Sequence, residues 1–223
     1  MILAVLVTKN EVPDPGPDPD PGDVAVRVAA RTMAKREADH ATEARRLLDA
    51  ALAVMARQGP SGKARVADIV AAAGLSNDAF YRHFPSKDAL VAALMEDGTL
   101  RLASYVAHQM DKEAAPEGKV RRWVEAILAQ ADGTTAATTL AVLGNGGGRS
   151  ATPHGHDSSA PLAALLHEPF AALGSAAPEL DASLVAHAVV GKLPDYLWGR
   201  TAPGPDEVDH VVRFCIATAR TRN

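Results

Sequence analysis

The chain has 223 residues, of which 47% are apolar, a net charge of −4 and one cysteine. That supports one large domain or two small ones, and a lone Cys215 excludes an internal disulfide, which fits a reducing cytoplasm. No apolar run reaches the length of a membrane span, and the acidic total does not announce a polyanion binder, so any contact with nucleic acid must rest on local charge.

Alanine is abundant, and the strand-formers Val, Ile, Phe and Tyr are read as sparse beside it, which favours helices over sheets. The opening "MILAVLV" is short, with no basic residue before it and no small-residue cleavage site after it, so it is not read as a leader. Residues 11–22 alternate Pro with Asp and Gly and cannot form a helix. Residues 1–36 are therefore expected to be a disordered extension. Arg27, Arg31, Lys35 and Arg36 close it, read as a solvated tail, with a basic arm on DNA as the alternative.

From Asp39 the pattern changes. Ala44, Leu47, Leu48, Ala51, Leu52 and Met55 recur at three- and four-residue steps and predict a helix that ends at Gly59-Pro60. A short helix is predicted over Val66–Ala73, and another opens at Ser76. A longer helix starts at Ser86 and carries Leu90, Leu94, Leu102 and Val106, with Gly98 as a candidate bend. Val120, Trp123, Val124, Ile127 and Leu128 mark the next, followed by a shorter one over about 134–143. The Gly-rich stretch 144–159 reads as a loop. Helices over 162–173, 178–198 and 206–220 complete an all-α chain. Pro194 is expected to kink the penultimate one or end it early.

The chemistry lies in "AAAGLSNDAFYRHFPSKDAL", residues 71–90. Gly74 falls just past a helix end, where a left-handed backbone is usual. Leu75 can fold back as an apolar plug, Ser76 is a good N-cap, and Asp78 suits the positive end of the helix that follows. This is the pattern of two short helices joined by a tight turn, the second of which enters the major groove of DNA. Phe80 and Phe84, four apart, share the face that packs on Ile69, Leu75 and the first helix. The opposite face presents Asn77, Asp78, Tyr81 and Arg82, with Ala79 small enough to let the helix approach the bases. Asn and Arg can pair with base edges, while Tyr81, His83 and Lys87 suit phosphate. Residues 60–90 carry Lys63, Arg65, Arg82 and Lys87 against Asp68, Asp78 and Asp88, whereas residues 96–223 carry 11 basic and 15 acidic side chains. The asymmetry has the sign expected if the first part meets phosphate.

"DIVAAAGLSNDAFYRHFPSKDAL", with "RRLLDAALAVMARQG" upstream, resembles the DNA-binding signature of the tetracycline-repressor (TetR) family over residues 41–95. The resemblance implies an N-terminal three-helix DNA-binding domain, residues 37–85, and a C-terminal helical regulatory and dimerisation domain, residues 86–223. It implies phosphate contacts from Ser76, Tyr81, His83 and Lys87, and base reading by Asn77, Asp78, Ala79 and Arg82. Arg65 stands where the family often has Ser or Thr, so the usual cap of the second helix is absent, although an arginine there can reach a phosphate.

The resemblance further implies a homodimer on a near-palindromic operator in double-stranded DNA, released by a small-molecule effector, with no cofactor and no membrane. Candidate interface residues are Leu184, Ala188, Leu193, Val208, Val212 and Cys215. Candidate ligand-lining residues are Tyr105, His108, Trp123, Ile127 and Leu166, which suggest an apolar or aromatic ligand. Two alternatives stand beside this repressor: a DNA-binding regulator without any effector, and a metal-dependent enzyme using His154, His156 and Asp157.

Overall fold

The computed structural model of the chain describes residues 23–146 and 159–220. Among them are ten α-helices, one 3₁₀ turn and no strand. The helices are α1 (Val24–Gln58), α2 (Val66–Ala73), α3 (Asn77–His83), α4 (Lys87–Met110), α5 (Pro116–Leu128), α6 (Gly133–Asn145), α7 (Ala160–Ala164), α8 (His167–Ala172), α9 (Pro178–Gly199) and α10 (Pro205–Ala219), with the 3₁₀ turn at Ala129–Ala131. No helix of the described residues is long and apolar enough to cross a membrane.

By compactness the chain divides between Glu43 and Ala44. The first unit is helical from Val24, which corrects the extension expected through residue 36. The physical reason is local. The carboxylate of Asp23 accepts from the Ala25 amide at 3.0 Å, as an N-cap does, and alanines 25, 29, 30 and 34 with Arg, Lys and Met are good helix formers. Proline dominates only up to Pro21.

The second unit holds two apolar cores. One gathers Leu47, Ala51, Val54 and Met55 of α1, Ile69 and Val70 of α2, Phe80 and Phe84, then Leu90, Val91 and Leu94 of α4, and Ala141 and Val142 of α6. The other gathers Val106 and Met110 of α4, Trp123, Val124 and Ile127 of α5, Leu162, Leu166, Phe170, Val185, Val189, Val212 and Cys215. α4 thus contributes to both cores, and α6 to the first. Ser86 caps α4, its Oγ accepting from the Ala89 amide at 3.1 Å, and α4 runs unbroken through Gly98. Ion pairs bind α5 to its neighbours: Arg121 to Asp209 of α10 at 2.6 Å, and Lys119 to Glu168 of α8 at 2.9 Å. Both reach solvent and contribute little each.

Two helix expectations are corrected. The helix over 162–173 is two short ones, broken at Leu165–Leu166. Pro169 explains the break: inside one helix its ring would collide with the Leu165 carbonyl, whereas in the first turn of α8 its missing N–H goes unmissed. Pro194 does not end α9, which continues to Gly199. Stretch 147–158, with His154, His156 and Asp157, lies outside the described residues, as do residues 1–22.

Candidate nucleic-acid interface

The turn between α2 and α3 is built by backbone hydrogen bonds around a left-handed glycine. Gly74 is left-handed, at φ 63°, and its amide donates to Ala71 O while the Leu75 amide donates to Val70 O. Paired bonds of this kind close a helix C-terminus, and they bring Leu75 back onto the core beside Val70. A side chain at position 74 would meet strained backbone and the Arg46 guanidinium, 3.2 Å from where its Cβ would lie. Arg46 itself, from α1, donates to Ala73 O at 2.6 Å, which satisfies a carbonyl left over at the end of α2.

Ser76 then opens α3, its Oγ accepting from the Ala79 amide at 3.1 Å. At the other short helix, Arg65 precedes α2 and a guanidinium cannot accept a bond. The end is closed in reverse: the Asp68 carboxylate accepts from the Arg65 amide at 3.3 Å.

α3 is two-faced. Phe80 is wholly buried and Phe84 nearly so, their ring centroids 5.9 Å apart. Tyr81 stands edge-on to Phe80 at 5.2 Å yet is 58% exposed. Asn77, Asp78 and Arg82 are exposed with it, as are Arg65 and Ser76, and His83 and Lys87 are half-buried at the margin. Ala79 differs from expectation: it is 4% exposed and belongs to the inner side of α3, so it presents no surface to a duplex. Its amide is the one that Ser76 caps. The exposed set offers a bidentate amide, a guanidinium, a phenol and a carboxylate on one short rod. Those are the groups that pair with base edges and phosphates in a major groove.

Residues 47–94 match the family profile described as bacterial regulatory proteins, tetR family. Among solved structures, a protein of Pectobacterium atrosepticum described as a TetR-family transcriptional regulator aligns at 23% identity, covering 82% of this chain and 91% of its own, with a TM-score of 0.50. One of Mesorhizobium loti, assigned to the same family, aligns at 16% identity over 81% and 94%, with a TM-score of 0.54. A third, from Pseudomonas aeruginosa and assigned as a transcriptional regulator, aligns at 26% identity over 78% and 87%, also at 0.54. No curated protein matches the chain. The chain thus carries a TetR-family DNA-binding domain over residues 47–94.

Beyond that domain, the expected ligand residues do not form one chamber. Tyr105 is 51% exposed and His108 is exposed too, both on the outer side of α4. Trp123, Ile127 and Leu166 are wholly buried, and the indole N–H of Trp123 donates to Leu162 O at 2.9 Å. These three fill space rather than line it. A groove of about 270 Å³ lies between α9 and α10, walled by Ala188, Lys192, Tyr196, Glu207, His210 and Phe214. Tyr196 donates to Glu207 Oε1 there at 2.6 Å; burial, then that carboxylate, push its phenol up to about 12.

The expected interface residues also divide. Leu184 and Ala188 are exposed, Leu193 and Val208 half-buried. Val212 and Cys215, at 2% and 0% exposed, sit in the protein's own core and are not available to a partner. Periodicity marked the apolar stripe of α10 but not which core would claim it. Leu180, Trp198 and Phe214, all about half exposed or more, were not singled out.

Proposed function

We propose that this protein is a TetR-family repressor that binds a near-palindromic operator as a homodimer and is released by a small apolar or aromatic molecule. The observation that carries the DNA half is the division of α3: Phe80 and Phe84 anchored inside, with Asn77, Asp78, Tyr81 and Arg82 outside beyond a turn that Gly74 and Ser76 fix. In this reading Asn77, Asp78 and Arg82 read bases, and Ser76, Tyr81, His83, Lys87 and Arg65 hold phosphates.

One such rod reads too few base pairs for a useful specificity, so a second copy is needed. The exposed apolar stripe Leu180, Leu184 and Ala188 on α9, with Trp198 and Phe214, supports a dimer through α9 and α10. Recovery of genomic fragments on the immobilised protein tests the proposal. A shared, near-palindromic site supports it; indifference to every fragment overturns it.

A second reading, a regulator without any effector, is favoured by the filled positions of Trp123, Ile127 and Leu166. A thermal-shift screen followed by operator release separates the two. A compound that raises Tm and frees DNA supports the effector; compounds that do neither leave the second reading.

A further inference from the structure

The first unit carries a feature that the repressor reading does not use. Residues 24–36 contain four cations, Arg27, Arg31, Lys35 and Arg36, and no carboxylate. They are helical, and Arg27, Arg31 and Lys35 recur at i, i+4 and i+8. At 100° per residue those three fall within about 80° of the helix circumference, in a row about 12 Å long. All three are exposed, and none has an ion pair or hydrogen-bonded side-chain partner among the described residues.

Apart from the half-buried Val26, this segment gains nothing from burial. Val24, Val28 and Met33 are exposed at 62%, 55% and 62%. A helix exposed all round is stabilised by propensity alone, unless a partner covers it. Its charge selects the partner. Where Glu37, Asp39 and Glu43 mix the signs further along α1, the row itself is of one sign. A row of guanidinium and ammonium groups without base-reading amides matches a phosphate backbone and reads no sequence.

We propose that Arg27, Arg31 and Lys35 form a second, sequence-independent DNA contact that grips the phosphates of double-stranded DNA. The proposal rests on the regulator reading, because α1 joins the row covalently to the residues of the DNA-binding domain. Once that domain holds a duplex, further phosphates meet the row at the high local concentration of a tethered ligand. Each phosphate neutralised releases counterions, so the row adds to the salt dependence of binding as well as to its strength.

The experiment compares the full chain with R27Q/R31Q/K35Q and with R27K/R31K, using a duplex of about 40 base pairs of arbitrary sequence. Fluorescence anisotropy gives the binding constant over roughly 50–200 mM KCl, where each phosphate contact contributes about 0.9 to the slope of log K against log salt. The glutamine variant keeps helix propensity, which circular dichroism checks. Expected is a slope shallower by at least about 2, with the same proportional loss on any duplex, and an unchanged slope for R27K/R31K. A wild-type slope in R27Q/R31Q/K35Q overturns the proposal. So does a variant that loses binding to anionic vesicles while its DNA slope stays unchanged. A wild-type chain that binds no duplex at any salt overturns the regulator reading, and this proposal with it.

Discussion

Asn145 and Ala64 lie 81 residues apart and are joined by a hydrogen bond of 2.8 Å, the Ala64 amide donating to the buried Asn145 Oδ1. Both polar atoms of the side chain are engaged, since its Nδ2 donates to Ala141 O at 2.9 Å. Around it, Lys63 Nζ donates to Gly144 O, and a Cβ on Gly144 would lie 2.4 Å from Pro60 O. The C-terminus of α6 is thus keyed into the loop that leads from α1 to α2. Asn145→Ala leaves the Ala64 amide buried without a partner, which costs about 2 kcal/mol. A fall in Tm of roughly 4–8 °C follows for a chain of this size, readable by calorimetry. An unchanged Tm would show that the keying contributes nothing.

Phe80 and Tyr81 are neighbours with opposite assignments. Phe80→Ala removes a wholly buried ring, and such truncations cost about 3–5 kcal/mol. Urea unfolding should record a loss of that order. Tyr81→Phe deletes one exposed hydroxyl, so stability should stay within about 0.5 kcal/mol while affinity for operator DNA falls. A Tyr81→Phe protein that binds DNA like the wild type would remove Tyr81 from the interface.

The reading head was legible because its signals are short-range. A glycine that must be left-handed, a serine that must cap, and two phenylalanines one turn apart each act within four residues, and the structure places Gly74, Ser76, Phe80 and Phe84 accordingly. What escaped depends on distant partners. Arg46 looks like any solvated arginine until Ala73 O, 27 residues away, is brought to it. Asn145 sits in a Gly-rich stretch that reads as loop, and nothing local says that Ala64 needs an acceptor. Ala79 was placed outside by helical angle alone, although the angle between inner and outer faces on a seven-residue helix is decided by what packs there. Val212 and Cys215 were marked apolar correctly, but a stripe of valines does not declare whether its partner is the same chain or a second one.

Lys87 and Arg82 should differ in kind. Lys87, the first residue of α4, is assigned to phosphate, so Lys87→Ala should weaken binding to all sequences and lower the salt slope by about 1. Arg82, exposed on α3, is assigned to a base edge, so Arg82→Ala should cost about 1–3 kcal/mol on the operator and change the preferred base at one position of each half-site. Selection from a randomised duplex pool reads both. Equal losses on every sequence would show that Arg82 reads no base.

The α9 stripe predicts assembly. Leu184 is 58% exposed with Leu180 and Ala188 on the same face, so Leu184→Glu places a charge in the middle of the proposed interface without disturbing the core. Sedimentation should show a monomer of unchanged helix content, with operator affinity lowered more than tenfold. A Leu184→Glu dimer would move the interface elsewhere.

Alkaline pH should expose Cys215. The thiol is wholly buried and burial pushes it from 9.0 up to about 12. A raised value means that the folded protein holds the proton more tightly than the unfolded one. The associated stability is therefore intact below about pH 9 and is lost as pH rises from 9 towards 12. At pH 10 the loss from this group is on the order of 1 kcal/mol. Tyr196, raised from 10.0 to about 12 mainly by burial, adds to it from pH 10 upward. Urea midpoints at pH 7.5 and pH 10 measure the drop. Cys215→Ala removes the titrating thiol with little change of volume, so its stability should fall less over the same interval; an identical fall in both proteins would place the alkaline sensitivity in another group.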